Sequence, residues 1–237
     1  LDPAAIARGE ALLMPERLIL VHDSFATLRE AARAADMLPL DGVLLDLGFS
    51  SFQIDDAERG FSLRLDGPLD MRFDTTSGPT AADLVNQLDE QSLADIIWRY
   101  GEDRNSRRIA AAIVREREHQ PIETTAQLAA IVAKASGGTR GKIHPATRTF
   151  QAFRIATNDE LETLSRTLDA AAAALIPGGR LAVISFHSLE DRIVKQFIAR
   201  ESATCVCPPE QPVCTCQTIP TLEPVGKPIK PSEEEIE

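Results

Sequence analysis

Two short apolar runs restrict the fold of this chain more than any other feature. Val43-Leu44-Leu45-Asp46-Leu47-Gly48 follows the turn signal Asp41-Gly42, and Arg180-Leu181-Ala182-Val183-Ile184-Ser185-Phe186 follows Pro177-Gly178-Gly179. Both runs are nearly unbroken rather than alternating, as expected of strands in a buried parallel sheet. A third apolar run, Arg17-Leu18-Ile19-Leu20-Val21-His22, is read as a further strand. Ser24 is placed to cap a following helix whose Leu28, Ala31 and Ala35 share one face.

The segment between the two main runs is of another kind. From Thr80 to Arg154 apolar residues recur at helical spacing, as in Leu93, Ile96, Ile97 and Tyr100, or Ile109, Ala112 and Ile113. Thr124-x-x-Gln127 has the form of a capping box, Ser136-Gly137-Gly138 breaks the helix it starts, and His144-Pro145 opens another that carries Phe150 and Phe153. Ser50 to Asp74 shows no periodicity and reads as a long ordered loop, a type that is usually functional. Thr157-x-x-Glu160 has the form of a second capping box, Pro177-Gly178-Gly179 is read as a helix stop, and Ser188 as the cap of a helix reaching Arg200. The whole pattern predicts a doubly wound α/β domain interrupted by an all-helical insertion. The expected division is 1–52 and 156–203 for the two parts of the α/β domain, 53–155 for the loop and helical insertion, and 204–237 for an irregular Cys- and Pro-rich end.

In open parallel sheets ligands bind beyond the carboxyl ends of the strands. That rule selects His22, Asp23 and Phe25 after one run, Asp46, Gly48, Ser50 and Ser51 after the next, and Ser185, His187 and Ser188 after the last. Charge adds a second constraint. The net charge is -11, yet Arg99 to Arg154 holds eleven Lys/Arg against five Asp/Glu. A basic stretch in an acidic chain is either a solvated helical surface or a local phosphate contact. No run of 18 apolar residues is present, so no helical membrane span is expected.

Five longer motifs resemble one family. They are Asp46-Leu47-Gly48-Phe49-Ser50-Ser51-Phe52-Gln53, Asp55-Asp56-Ala57-Glu58-Arg59-Gly60-Phe61-Ser62, Asp66-Gly67-Pro68-Leu69-Asp70-Met71-Arg72, His144-Pro145-Ala146-Thr147-Arg148-Thr149-Phe150-Gln151 and Ser185-Phe186-His187-Ser188-Leu189-Glu190-Asp191-Arg192. In this order they resemble the RsmH (MraW) family, whose members use S-adenosyl-L-methionine to methylate N4 of a cytidine in 16S rRNA of the small ribosomal subunit. The resemblance implies a Rossmann-like class I methyltransferase sheet and carries over three cofactor positions, Phe25, Asp46 and Gln53. It places the family's glycine-rich cofactor loop and ribose-binding acid upstream of Leu1, so the chain is expected to be part of a longer protein.

The residues themselves leave alternatives beside each assignment. Phe25 is either a ring against the adenine or a core aromatic, and Asp46 either a rim carboxylate or a helix cap. Transfer to a weakly nucleophilic amine needs alignment and late acceptance of a proton. Asp46, Ser50, Ser51 and His187 are the candidates for that work, with a structural role as the alternative for His187. Arg104, Arg107, Arg108, Arg140, Lys142 and Arg148 are the expected phosphate contacts. Phe150 and Phe153 are read as core before base-stacking residues. Asp55, Asp56, Asp66 and Asp70 resemble a magnesium site in composition, but internal pairing with Arg59 and Arg72 is preferred, since methyl transfer needs no metal.

All four cysteines fall in Cys205-Val206-Cys207 and Cys214-Thr215-Cys216. Confinement to one stretch fits a reducing cytoplasm, and the cluster itself is open to zinc, free thiols or disulfides. Two competing functions remain, a related DNA amino-methyltransferase and a non-catalytic RNA-binding or ribosome-assembly module. A serine hydrolase is excluded because no nucleophile elbow is present.

Overall fold

The computed structural model describes residues 2–12, 14, 17–137, 143–208 and 210–232. Arg140 and Lys142, two of the expected phosphate contacts, lie outside the described residues. Helix α1 (Pro3–Glu10) starts on Asp2, whose carboxylate accepts the Ala4 amide at 2.9 Å, with proline at the first helical position. The run Arg17–His22 forms no strand, and its Ile19 and Val21 stay exposed. Apolar content alone does not make a strand; a partner edge is required, and none meets this run among the described residues. Ser24 does cap the next turn, accepting the Ala26 amide at 3.2 Å, and helix α2 (Leu28–Ala34) follows it.

Strand β1 (Leu40–Asp46) leads into the loop at Gly48 and a one-turn helix α3 (Ser51–Ile54). The helical block comprises α4 (Ala81–Gln87), α5 (Glu90–Gly101), α6 (Ser106–Arg117), α7 (Thr125–Ala135) and α8 (Thr147–Asn158). Helix α9 (Glu160–Ala174), strand β2 (Leu175–Ile184) and helix α10 (Ser188–Glu201) complete the regular structure. The Thr124–Gln127 capping box forms as expected. The Thr157–Glu160 box does not, because α8 runs on through Asn158, Asp159 turns left-handed at φ 48°, and Glu160 is held by Arg154. Pro177-Gly178-Gly179 is not a helix stop either: α9 ends at Ala174, and these residues make a bulge inside β2.

β1 and β2 pair in parallel, with Val43 opposite Leu181, Leu45 opposite Val183 and Asp46 opposite Ile184. Val43, Leu45 and Leu47 pack on Leu164, Leu168 and Ala171 of α9 and on Phe197 of α10. The other face is open, with Leu44 66% and Ile184 45% exposed. The expectation of strands buried on both faces is thus met on one face only, because among the described residues the helices packed on this pair share a side. A second, separate core joins Phe61, Leu69 and Met71 of the loop to Leu93, Ile97, Ile109, Ile113, Leu128, Phe150 and Phe153 of the helical block. Phe150 and Phe153 are therefore core residues.

Helices α5 and α8 come into close contact at Gly101. A Cβ there would lie 2.6 Å from the Arg148 carbonyl oxygen and 3.3 Å from the Ala152 methyl. Backbone cannot yield as a flexible side chain does, so Gly101→Ala is expected to lower unfolding free energy by about 1–3 kcal/mol, the usual effect of overpacking. Denaturant titration with an unchanged slope would read this directly.

Candidate active site

The parallel pair brings the two post-strand loops together. Asp46 ends β1 on the open face, beside Ile184, and its side chain is solvent-exposed. Leu47 extends the ladder by donating to the Ile184 carbonyl at 3.1 Å. Gly48 then turns with φ 88°, and a Cβ on it would sit 3.5 Å from the Phe186 ring. The first loop therefore crosses against the second at a residue whose left-handed backbone favours glycine.

Beyond Gly48 the loop is pinned by an aromatic residue that the sequence marks only as part of a motif. Phe49 lies between the Arg154 guanidinium, 4.8 Å from its ring centroid, and the Phe61 ring, stacked at 5.6 Å. Phe61 stacks in turn on Phe73 at 5.7 Å. This column carries the loop onto the helical block through a cation–π contact and ring stacking. Ser50 and Ser51 follow with exposed side chains at the start of α3.

Gln53 is buried, and both ends of its amide are used. Its Oε1 accepts the Ser50 amide at 2.9 Å, and its Nε2 donates to Asp2 Oδ2 at 2.9 Å. Arg59 donates to the same Asp2 oxygen at 3.0 Å and to the carbonyls of Arg72 and Phe73 at 3.0 and 3.1 Å. Burial pushes the Asp2 carboxyl up, but its bonds to Arg59, the Ala4 amide and Gln53 outweigh that and hold it below the usual carboxylate range. Gln53 thus sets the loop by joining Ser50 to the start of α1.

The expected pairing of Arg59 within the loop is corrected by this geometry: its carboxylate partner is Asp2, 57 positions away. Arg72 does pair internally, with Asp70 at 2.7 and 2.9 Å. The loop acids do not converge as a magnesium site would require. Asp56 caps the turn at Glu58, Asp66 accepts the Ala126 amide, and Asp70 is taken by Arg72.

His187, and not Ser188, is the N-cap of α10. Its Nδ1 accepts the Glu190 amide at 3.5 Å, and its Nε2 lies 3.2 Å from Glu190 Oε1. Glu190 Oε2 in turn accepts the amides of Phe186 and His187 at 2.9 and 3.3 Å. Burial pushes Glu190 up, but His187 and these amides more than offset it, leaving the carboxyl below its usual value. The ring is therefore engaged by its own helix start and shapes the second loop.

Next to it, Arg154 and Glu160 form a buried two-pronged pair at 2.8 and 2.9 Å. Burial, only partly offset by the guanidinium, raises the Glu160 carboxyl above its ordinary value. Glu160, His187 and Glu190 come within 4.8 Å of one another, but Arg154 occupies both Glu160 oxygens, so Glu160 serves an ion pair and is not free to ligate a metal. Arg154, Glu160 and Glu190 were missed as site residues. An arginine on the apolar face that carries Phe150 and Phe153 was the available signal, since a buried guanidinium demands a partner.

The remaining expected residues are dispersed. Phe25 heads the turn before α2 with its ring 40% exposed. Arg104, Arg107 and Arg108 stand exposed at and just before the start of α6. Arg148 is also exposed and donates to the Glu102 carbonyl at 3.2 Å. Glu102 links this region to the second loop, since Ser188 and Arg192 both donate to its carboxylate, at 3.1 and 2.8 Å.

A protein named ribosomal RNA small subunit methyltransferase H from Thermomicrobium roseum is 54% identical over 238 residues, covering 99% of this chain and 73% of its own length. Proteins of the same name from Dehalococcoides mccartyi and Beijerinckia indica are 48% and 53% identical, each matching 99% of this chain and 67% of their own length. The sequence profile of the MraW methylase family matches residues 1–237, and the chain belongs to that family.

Proposed function

We propose that this chain carries the transfer site of an S-adenosylmethionine-dependent enzyme that methylates N4 of a cytidine in 16S rRNA of the small ribosomal subunit. The relatives' names support ribosomal RNA as the substrate. The observation that carries the site is the exposed Asp46 carboxylate at the carboxyl end of a parallel strand, followed by a loop fixed at Phe49 and Gln53. In this reading the two strands belong to a doubly wound sheet and residues 53–155 to an inserted RNA-binding unit.

S-adenosylmethionine, when bound, supplies a methyl group already activated on a sulfonium. In this reading the exposed Phe25 offers a ring face to the adenine, and the exposed Asp46 a charge at the rim. What the protein has to add is alignment and acceptance of a proton from the exocyclic amine. In this reading the exposed hydroxyls of Ser50 and Ser51 accept amine hydrogens, and Asp46 orients the amine and stabilises the charge that develops on it. Gln53 and His187 act through other groups, Gln53 by holding the Ser50 amide and His187 through Glu190. A base reaching this loop has to leave its stack, and the helical block supplies phosphate contacts beside the path.

The direct test uses the full-length parent protein with small ribosomal subunits and a labelled methyl donor, followed by mapping of the modified nucleotide. Label on a 16S cytidine N4 is expected; label elsewhere, or none, rejects the proposal. A second expectation concerns the platform. Arg107→Glu with Arg108→Glu should weaken RNA binding and reduce the slope of log affinity against log salt by roughly 2–4, since two phosphate contacts are lost and two repulsive charges added. An unchanged slope would remove the start of α6 from the interface.

A further inference from the structure

The chain after α10 leaves and returns to one point. Thr221 and Leu222 donate backbone hydrogen bonds to the Glu201 carbonyl at 2.9 and 3.3 Å, and the Thr221 hydroxyl donates to the Glu201 carboxylate at 2.5 Å. The excursion between them has no helix or strand among its described residues. Its apolar side chains do not cluster either: Val206 is 63%, Val213 69% and Ile219 83% exposed. Hydrophobic burial therefore contributes little to its shape.

Four sulfur atoms nonetheless meet at its centre. Cys205 Sγ lies 3.5 Å from Cys214 Sγ and 3.7 Å from Cys216 Sγ. Cys214 Sγ is 3.9 Å from Cys207 Sγ and 3.4 Å from Cys216 Sγ. All four lie within 4.8 Å of one another. A zinc ion with four sulfurs at about 2.3 Å gives a tetrahedron with edges of about 3.8 Å. These four separations bracket that value, whereas two disulfides would give two short pairs near 2.0 Å and longer separations between them. Backbone amides also point at the sulfurs: Val206 N–H donates to Cys216 Sγ at 3.3 Å, and Cys207 N–H to Cys205 Sγ at 3.5 Å. Such bonds stabilise thiolates and orient ligands around a metal.

We infer that Cys205, Cys207, Cys214 and Cys216 bind one zinc ion as a closed structural site that clamps this excursion. Four thiolates fill the tetrahedral shell, so no position is open for a reacting water, and the all-sulfur set selects a soft or borderline ion over magnesium or calcium. Binding replaces the thiol protons, which pass to solvent, and no redox partner is involved. The site is independent of the methyl-transfer reading, since none of its four ligands belongs to the Asp46 or His187 loops.

The test is metal analysis of the full-length protein purified without chelator. About one zinc per chain is expected, with visible d–d bands of a tetrahedral tetrathiolate when cobalt replaces it. Cys205→Ser with Cys214→Ser should abolish both signals while far-UV dichroism stays near the parent's. Stripping the zinc should open the segment 202–220 to limited proteolysis, and restoring zinc should close it again. Substoichiometric metal with four titratable thiols, a non-reduced mass showing disulfides, or iron in place of zinc would each overturn the assignment.

Discussion

Asp46→Ala in the full-length protein is expected to lower the rate of methyl transfer to small ribosomal subunits by about 100-fold or more, the usual consequence of removing one oriented charged contact from a reacting centre. Global stability should change little, because the side chain is exposed at the end of β1 and fills no part of the packed core; surface changes of this kind usually stay within about 0.5 kcal/mol. The two readouts separate a site residue from a scaffold residue. Initial rates with labelled donor measure the first, and a denaturant midpoint the second. A rate within about threefold of the parent would remove Asp46 from the transfer step.

Arg154→Met should produce the largest loss of stability. It leaves Glu160 buried without its two-pronged partner and takes the guanidinium from the Phe49 ring. Breaking a buried pair by removing one member costs about 3–5 kcal/mol, because the remaining charge is uncompensated. The pH dependence gives a sharper check. Burial already holds the Glu160 proton more tightly in the folded chain than in the unfolded one, and loss of Arg154 widens that difference. Above the unfolded value of about 4.3 the folded state then carries more protons, so the variant's stability falls as pH rises. The deficit against the parent is expected to be smaller near about pH 5 than at neutral pH. A deficit independent of pH would mean that lost packing, and not the stranded carboxylate, is responsible.

What the sequence disclosed was mainly local. The apolar runs at Val43 and Leu181 do pair, the Thr124 capping box forms, and the helical spacing from Leu93 to Phe153 marks a true core. Local pattern failed where distant residues decided the outcome. Glu160 has the right offset from Thr157 for a capping box, but the buried guanidinium of Arg154 takes it instead. Leu18 to Val21 has strand composition without an edge to pair with among the described residues. Asp2, Gln53 and Arg59 form one unit across 57 positions, and no spacing rule connects them. The loop after Asp46 could be placed at the rim from the strand pattern, whereas its anchoring by Phe49 needed the fold.

The bulge at Pro177-Gly178-Gly179 bears on how this chain tolerates changes of length. Register passes from Leu40 opposite Leu175 to Gly42 opposite Arg180, so β2 accommodates three more residues than β1 over that span. Slack of this kind lets the strand entry gain or lose a residue without altering which side chains face α9. Past Arg180 no slack remains. A single-residue deletion between Leu181 and Ile184 would turn Val183 outward and draw the Phe186 loop away from Gly48. Length variation among natural or designed relatives should accordingly collect at the strand's beginning and be absent from its end.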